Sequence, residues 1–140
     1  MSLLEYAARI LPVTIVHAHC DLPCGEYDPA QARIEATSVH NIQKKYEESS
    51  DTDKIRAIFI KEQRAELVKH HLWVLWTDYF KPEHLEKHPN LHGIFWKATK
   101  QAGATKKSVD PAEGQKLLDM IDEIDVIFKE TKQNAAPHTH

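Results

Sequence analysis

Apolar residues recur along this chain at alternating spacings of three and four positions, which is the pattern of amphipathic α-helices. Proline-containing or polar segments separate the apolar stretches, and no segment of useful length shows the strict alternation typical of a β-strand. We find no internal repeat. Because four amphipathic stretches follow one another with short connections, the pattern predicts an all-α protein built as an antiparallel four-helix bundle.

The first two helices are predicted from their start signals and their apolar faces. Asp28-Pro29 indicates a helix start, because the carboxylate can accept a backbone hydrogen bond and proline suits the first helical position. The polar segment 47–51 ends this helix, and the second runs from about Asp53 to about Phe80, before Pro82. The predicted faces comprise Ala32, Glu35, Val39, Ile42 and Tyr46 in the first helix, and Ile58, Ala65, Val68, Leu72, Leu75 and Tyr79 in the second.

The second half of the chain is predicted in the same way. Pro82 opens a segment that residues 88–90 interrupt, and helical spacing resumes over 91–101. Gly103 and the polar residues after it are predicted to form a linker. Asp110-Pro111 repeats the start signal of the first helix. The apolar face of this last helix comprises Leu117, Ile121, Ile124 and Phe128.

Composition narrows the class of protein. The chain has 140 residues, of which 41% are hydrophobic and 28% charged, so it fits one compact domain. Eighteen basic against 21 acidic residues give a net charge of −3, without the basic surplus expected of a nucleic-acid-binding protein. The longest apolar runs fall well short of the roughly 20 residues that a membrane-spanning helix needs. We therefore expect neither nucleic acid nor a membrane as a partner.

The amino-terminal residues 1–18 differ in character from the rest. An apolar run, 10–16, leads to Val16-His17-Ala18, an ending that suits a processing enzyme. The segment is similar to a short secretory signal, but its only basic residue, Arg9, is offset by Glu5. Two interpretations stay open: a mobile arm, or a leader removed just before His19. With removal, the working domain is 19–140, including a hook at 19–27 and a polar tail at 133–140.

The only two cysteines, Cys20 and Cys24, lie in the segment His19-Cys20-Asp21-Leu22-Pro23-Cys24-Gly25. Pro23 and the glycine after Cys24 disfavour a helix, and a tight loop can bring both sulfurs to one point. Thiolates are soft metal ligands, and the adjacent imidazole is a further donor.

Cleavage before His19 would complete a set of metal donors. The free α-amine, the deprotonated amide nitrogen of Cys20 and two thiolates form a planar set of four. Such a set suits Ni(II) or Cu(II), whereas zinc prefers a tetrahedron. The His19 imidazole could then occupy an axial position. An uncut chain lacks the primary amine.

Several blocks of the sequence resemble nickel superoxide dismutases. The hook 19–25 and the following Tyr27-Asp28-Pro29-Ala30-Gln31-Ala32-Arg33-Ile34-Glu35 resemble the nickel-binding hook and first helix of that family. The further matching blocks are 60–67, 69–72, 76–82 and 124–128. The similarity covers nearly everything after the leader, and on it the chain is identified as a member of the family.

The resemblance implies an assembly, a cofactor and a reaction. It implies a homohexamer of four-helix bundles with one nickel ion per subunit, and a dedicated peptidase that removes the leader. It implies that His19 supplies its amine and axial imidazole, Cys20 its amide nitrogen and thiolate, and Cys24 the second thiolate. The implied reaction converts superoxide to oxygen and hydrogen peroxide by Ni(III)/Ni(II) cycling, in antioxidant defence. A processed leader without a basic region favours the cytoplasm, with export as the alternative.

Glu35 and Arg64 are candidates for orienting the ligand His19. Glu35 lies in the predicted apolar face, where a carboxylate is costly unless it is paired. It could also sit at the edge of that face with its carboxylate in water. The resemblance favours the former, with Glu35 orienting the imidazole and Arg64 beside both. Without the resemblance, Arg64 would be read as a surface residue.

Four more residues are assigned through the resemblance. Tyr27 and Tyr79 match the tyrosines beside the nickel pocket, where they would gate access and order water or anions. Asp21 and Pro23 would shape the loop. Without the resemblance, Tyr79 would be an ordinary core residue.

Two other functions fit the same hook. A soft metal site on a bundle could deliver nickel or copper without turnover, as a carrier does. Alternatively, Cys20 and Cys24 could form a small disulfide in a thiol-redox or structural protein. The extended similarity, beyond the hook alone, favours the enzyme.

Overall fold

A computed structural model describes residues 26–133 of the protein. The leader, residues 19–25 of the hook and residues 134–140 of the tail lie outside the described residues, as do the predictions that concern them. All regular structure within 26–133 is helical, which confirms the all-α prediction. No helix in this range is long and apolar enough to span a bilayer. The elements are α1 (Ala30–Lys45), α2 (Asp51–Val74), a π-helical turn (Leu75–Tyr79), α3 (Pro82–Lys87), α4 (Leu91–Lys107) and α5 (Pro111–Gln133).

The four long helices form an antiparallel bundle. Helix α1 packs against α2 and α5, and α4 packs against the same two helices from the other side. The direction of α2 relative to α4 follows from two contacts. Lys61 reaches the last turn of α4 at Thr105, whereas Trp76, further along the chain, reaches the first turn at His92. The short helix α3 lies outside this ring, in the connection between α2 and α4.

The core lies where the apolar faces of the four long helices meet. The predicted face of α5 is confirmed, since all four of its members are buried. On α1 the buried apolar residues are small, which lets the neighbouring helices approach closely. The core cluster comprises Ala32, Ala36, Val68, Leu72, Leu75, Leu91, Phe95, Ala98, Ala102, Leu117, Leu118, Ile121, Ile124, Ile127 and Phe128.

Both predicted aspartate start signals are confirmed. Asp28 Oδ1 accepts a hydrogen bond from the backbone N–H of Ala30 at 2.7 Å, and Asp110 Oδ1 accepts one from Ala112 at 2.9 Å. Each carboxylate thereby satisfies a backbone donor that has no partner within the helix. The first of these bonds also holds the backbone between Tyr27 and α1.

The predicted linker after Gly103 is wrong. Helix α4 continues without interruption to Lys107. Thr105 faces the core, fully buried, and its hydroxyl donates to the backbone carbonyl of Ala102 at 2.7 Å. The polar side chain therefore satisfies its own hydrogen bonding inside the helix, so polarity here does not end the helix.

The predicted core position of Ile58 is also wrong, because this side chain is 39% exposed. Lys61 already contacts the last turn of α4, and the two helices are antiparallel. The part of α2 before Lys61 therefore extends beyond the end of α4, which cannot cover Ile58. The following members of the predicted face, Ala65, Val68, Leu72 and Leu75, are buried.

Candidate metal centre and its surroundings

Tyr27 marks the place where the hook joins the bundle. It lies three residues before α1, is half-buried and packs against the edge of the core. The centroid of its ring is 5.7 Å from that of Tyr79. The structure thus brings the two predicted gate tyrosines together, at the end of the bundle where α2 finishes.

A π-helical turn sets the position of Tyr79. The turn ends α2, and the N–H of Phe80 donates to the carbonyl of Leu75 at 3.1 Å. π-helical turns are rare in proteins, and those that occur often lie at functional sites. The Tyr79 ring packs against Phe128, with centroids 4.7 Å apart, and its hydroxyl lies 2.8 Å from Thr131 Oγ1. Tyr79 is therefore held both by aromatic packing and by a hydrogen bond to α5.

Glu35 and Arg64 form a second pair, across the interface of α1 and α2. Arg64 Nη1 donates to both carboxylate oxygens of Glu35, at 3.1 and 3.3 Å. The Glu35 side chain is 14% exposed and that of Arg64 is 43% exposed. Glu35 is therefore paired rather than solvated. Its role in orienting His19 stays a prediction, because His19 lies outside the described residues.

The two pairs do not form one cluster within the described part of the chain. Arg64 and Tyr79 lie on the same continuous helix, about 20 Å apart along its axis at roughly 1.5 Å per residue. No group of three histidine, cysteine, aspartate or glutamate side chains within residues 26–133 is arranged to hold a metal ion.

His84 adds a partly buried ring beside Tyr79. The two rings are stacked with centroids 5.8 Å apart, and His84 Nδ1 accepts a hydrogen bond from the backbone N–H of Lys81 at 3.1 Å. Burial lowers the pKa of His84 below its usual value, against the opposing field of Glu83. The imidazole is thereby favoured in its uncharged form, with Nδ1 as the acceptor.

Sequence reasoning missed Thr131 and His84 as neighbours of Tyr79. A signal for Thr131 was present, since it continues the alternating four- and three-residue spacing of the buried face beyond Phe128. A polar residue at a core position needs an internal hydrogen-bond partner. The π-helical turn had no comparable signal in the sequence.

The donor atoms of the hook fit nickel by their chemistry. His19, Cys20 and Cys24 together offer nitrogen and thiolate donors, and soft thiolates with nitrogen donors in a plane suit Ni(II). Asp21 and Pro23 lie between these donors in the sequence. The fold and this donor set together define a metalloprotein in which a helical bundle carries a soft-ligand hook before its first helix.

Comparison with known proteins identifies the family. Residues 14–132 match the family model of the nickel-containing superoxide dismutases. The chain is 61% identical over 123 residues to the nickel superoxide dismutase of Streptomyces seoulensis, covering 87% of this chain and 94% of the relative. The corresponding protein of Streptomyces coelicolor is 58% identical over the same length and coverage. The chain therefore belongs to the nickel-containing superoxide dismutase family.

Solved structures show the same relationship in three dimensions. A crystal structure of a nickel-containing superoxide dismutase after partial X-ray-induced reduction superposes with a TM-score of 0.80 at 61% identity. It covers 82% of this chain and 99% of that one. A native nickel superoxide dismutase structure gives the same TM-score and coverage at 59% identity.

Proposed function

We propose that the protein dismutates superoxide at one nickel ion per subunit, held by His19, Cys20 and Cys24. The observation that carries this proposal is the family match over residues 14–132, which includes all three residues. When bound, nickel supplies one-electron chemistry, by which one superoxide is oxidised to oxygen and a second, with two protons, is reduced to hydrogen peroxide.

The hook residues supply the ligands once the leader 1–18 has been removed by a peptidase. Removal gives His19 a primary α-amine, which an uncut chain does not have. The Cys20 amide nitrogen and the two thiolates add anionic donors, which stabilise a higher oxidation state of the metal. Tyr27 is the last residue of the hook, and its packing on Tyr79 fixes that end of the hook to the bundle.

Tyr27 and Tyr79 together wall the side of the bundle from which the hook emerges. Their ring centroids lie 5.7 Å apart, and the role proposed for the pair is to restrict access to the metal and to order small molecules beside it. Glu35 provides a carboxylate that Arg64 holds in a fixed orientation through hydrogen bonds to both of its oxygens. A carboxylate of this kind is suited to accept the N–H of a metal-bound imidazole, here that of His19.

The active assembly is proposed to be a homohexamer. Large apolar side chains on the outside of the subunit support association, because monomers rarely expose contiguous apolar patches. Ile55, Ile58 and Phe59 lie on successive turns of α2, and Phe59 is 68% exposed. Within residues 26–133, the other exposed large apolar residues are Ile34, Ile60, Leu67, Trp73, Trp96 and Val126.

The assembly can be tested by sedimentation equilibrium of the trimmed protein. Phe59→Glu places a charge in the exposed apolar patch and should shift the hexamer towards smaller species. Gln115→Glu adds a negative charge at an exposed position of α5, which does not pack against α2, and should leave the mass unchanged. A Phe59→Glu protein that remains hexameric would show that this patch is not a subunit contact.

The protein is proposed to act in the cytoplasm. The leader carries one basic residue, Arg9, offset by Glu5, and so lacks the basic region of a secretory signal. Fractionation of cells that produce the full-length chain tests this. Activity in the culture medium would favour export.

Metal titration tests the reaction. Metal-free protein beginning at His19 should gain superoxide-consuming activity in proportion to added nickel, up to one ion per subunit. The same protein loaded with zinc should be inactive, because zinc has no accessible redox change. Nickel binding at this stoichiometry without superoxide decay would favour a metal carrier.

A further inference from the structure

Two successive hydrogen bonds link the Tyr79 hydroxyl to the Thr131 hydroxyl and the Thr131 hydroxyl to the Phe128 carbonyl, and their donors can be assigned in only one way. Thr131 Oγ1 lies 2.7 Å from the Phe128 carbonyl oxygen and 2.8 Å from the Tyr79 hydroxyl. A carbonyl can only accept, so the single hydroxyl hydrogen of Thr131 is donated to Phe128. Thr131 therefore has no hydrogen left for Tyr79. The Tyr79 hydroxyl must be the donor in the bond between the two.

Because Tyr79 is the donor to Thr131, its hydroxyl can only accept further hydrogen bonds. Its single hydroxyl hydrogen points towards α5, so only oxygen lone pairs remain for other partners. Rotation of the ring does not alter this, because Phe80 and Phe128 pack around it with centroids 4.9 and 4.7 Å away. Thr131 is itself 6% exposed, so water does not readily compete for its oxygen.

We propose that Thr131 is a positioning residue of the superoxide dismutase site, which holds the Tyr79 hydroxyl as a hydrogen-bond acceptor. This inference rests on the proposed function, because it takes the site to lie beside Tyr27 and Tyr79. An acceptor oxygen orients water or another donor and disfavours a bare anion. Thr131 thereby keeps Tyr79 from donating to small anions, superoxide included, so that its phenol oxygen orients a donor such as water instead.

The inference has a direct consequence for a variant without the threonine hydroxyl. Thr131→Val keeps the shape of the side chain but removes the acceptor. The Tyr79 hydrogen is then free to turn towards the site and donate to an anion. Since hydrogen bonds to charged groups are among the stronger ones, inhibition of the nickel-loaded enzyme by azide should tighten roughly fivefold to tenfold. Thr131→Ser retains the hydroxyl and should restore the wild-type inhibition constant.

A matched control exists on α4. Thr105 is also buried, and its hydroxyl donates to the carbonyl three residues earlier, Ala102, at 2.7 Å. Thr105→Val therefore removes the same kind of intrahelical bond at a distance from Tyr79. It should leave azide inhibition unchanged. In a Tyr79→Phe background, Thr131→Val should likewise have no effect, because the hydroxyl through which it acts is gone.

A second measurement does not depend on nickel or on activity. The protein that begins at His19 keeps three of the four tyrosines of the full chain, so ¹³C labelling at Cζ gives three resonances, and Tyr79→Phe identifies the one from Tyr79. The Cζ shift responds to hydrogen bonding of the phenol. Thr131→Val should move the Tyr79 resonance, whereas Thr131→Ser and Thr105→Val should leave it in place. If Thr131→Val does not fold, Thr131→Cys replaces the hydroxyl with a poor acceptor and serves the same purpose.

The outcomes separate this inference from the proposed function. A shifted Tyr79 resonance with tighter azide inhibition supports it. An unmoved resonance, or an azide effect that persists in the Tyr79→Phe background, would overturn it and leave Thr131 as a packing residue. If the wild-type enzyme consumes no superoxide, the proposed function fails, whereas the resonance still reports on the hydrogen bond.

Discussion

Arg64 uses one guanidinium nitrogen, Nη1, to contact both carboxylate oxygens of Glu35, at 3.1 and 3.3 Å. The pair joins α1 to α2, and the carboxylate is largely shielded from solvent. A half-buried carboxylate without its partner would be costly, so the two side chains should be energetically coupled.

A double-mutant cycle measures this coupling. Arg64→Met alone leaves the Glu35 charge unpaired and should lower the free energy of unfolding by about 1–2 kcal/mol, discounted because Arg64 is partly exposed. Glu35→Gln in the Arg64→Met background should recover part of this loss. Urea unfolding of the four proteins gives the coupling energy. A coupling energy indistinguishable from zero would mean that the pair orients the two side chains without stabilising the fold.

Lys61 predicts a specific dependence of stability on pH. Its side chain is 1% exposed, and Nζ donates to the carbonyls of Thr105 and Lys106 at 2.5 and 2.7 Å, at the end of α4. Lys61→Met leaves these carbonyls without their donor. We expect the free energy of unfolding at pH 7 to fall by about 1–3 kcal/mol.

The sign of the pH effect follows from burial, which lowers the pKa of Lys61 below its ordinary 10.5, against the field of Glu62. Between the lowered pKa and 10.5 the unfolded chain binds more protons than the folded one, so wild-type stability rises with pH there. The stability difference between wild type and Lys61→Met should therefore widen towards pH 10.5. Lys107→Met, at an exposed position, serves as the control. A difference that narrows over this range would contradict the assignment.

Alanine substitutions at two glycines should change the stability of the protein in opposite directions. At Gly114 an added Cβ would lie 2.9 Å from the Cα of His40 and would also collide with Gln43 Oε1. Gly114→Ala should therefore force α1 and α5 apart and destabilise the protein by about 1–3 kcal/mol. At Gly93 an added Cβ meets nothing within 4 Å. Gly93→Ala should stabilise α4 by up to about 1 kcal/mol, and thermal unfolding distinguishes the two. Equal effects would contradict the close helix contact at Gly114.

Replacement of a thiolate ligand should abolish activity and leave the fold intact. Cys24→Ser should abolish nickel-dependent superoxide decay, because serine does not supply a soft anionic ligand at neutral pH. The helical circular dichroism should be unchanged, since the core cluster found within residues 26–133 is built from the helices of the bundle. His19→Ala should keep some Ni(II) binding and lose most turnover. An active, nickel-loaded Cys24→Ser protein would remove Cys24 from the ligand set.

The parts of the fold that the sequence predicted correctly rest on local chemistry. Asp28 and Asp110 each bond a nearby N–H in the first turn of their helix, so the sequence alone is sufficient to place these starts. The face of α5 is correct from Leu117 to Phe128 because neighbours cover that helix along this length.

One error and two omissions arise where a long-range contact decides the structure. Ile58 has the right spacing for the core but lies beyond the end of α4, and helix lengths are not visible in a spacing pattern. Lys61 is buried because the carbonyls at the end of α4 accept from it, which requires knowing that the two helices meet there. The Thr131 contact with Tyr79 likewise joins residues that are distant in sequence.

The central claim is that a nickel hook, completed by the free amine of His19, performs the reaction. Its most direct test compares superoxide decay by nickel-loaded protein that begins at His19 with that of the uncut 140-residue chain. We expect catalysed decay from the trimmed protein alone, with the uncut chain at the rate of the metal-free control. Equal activity in both forms would contradict the role assigned to the amine.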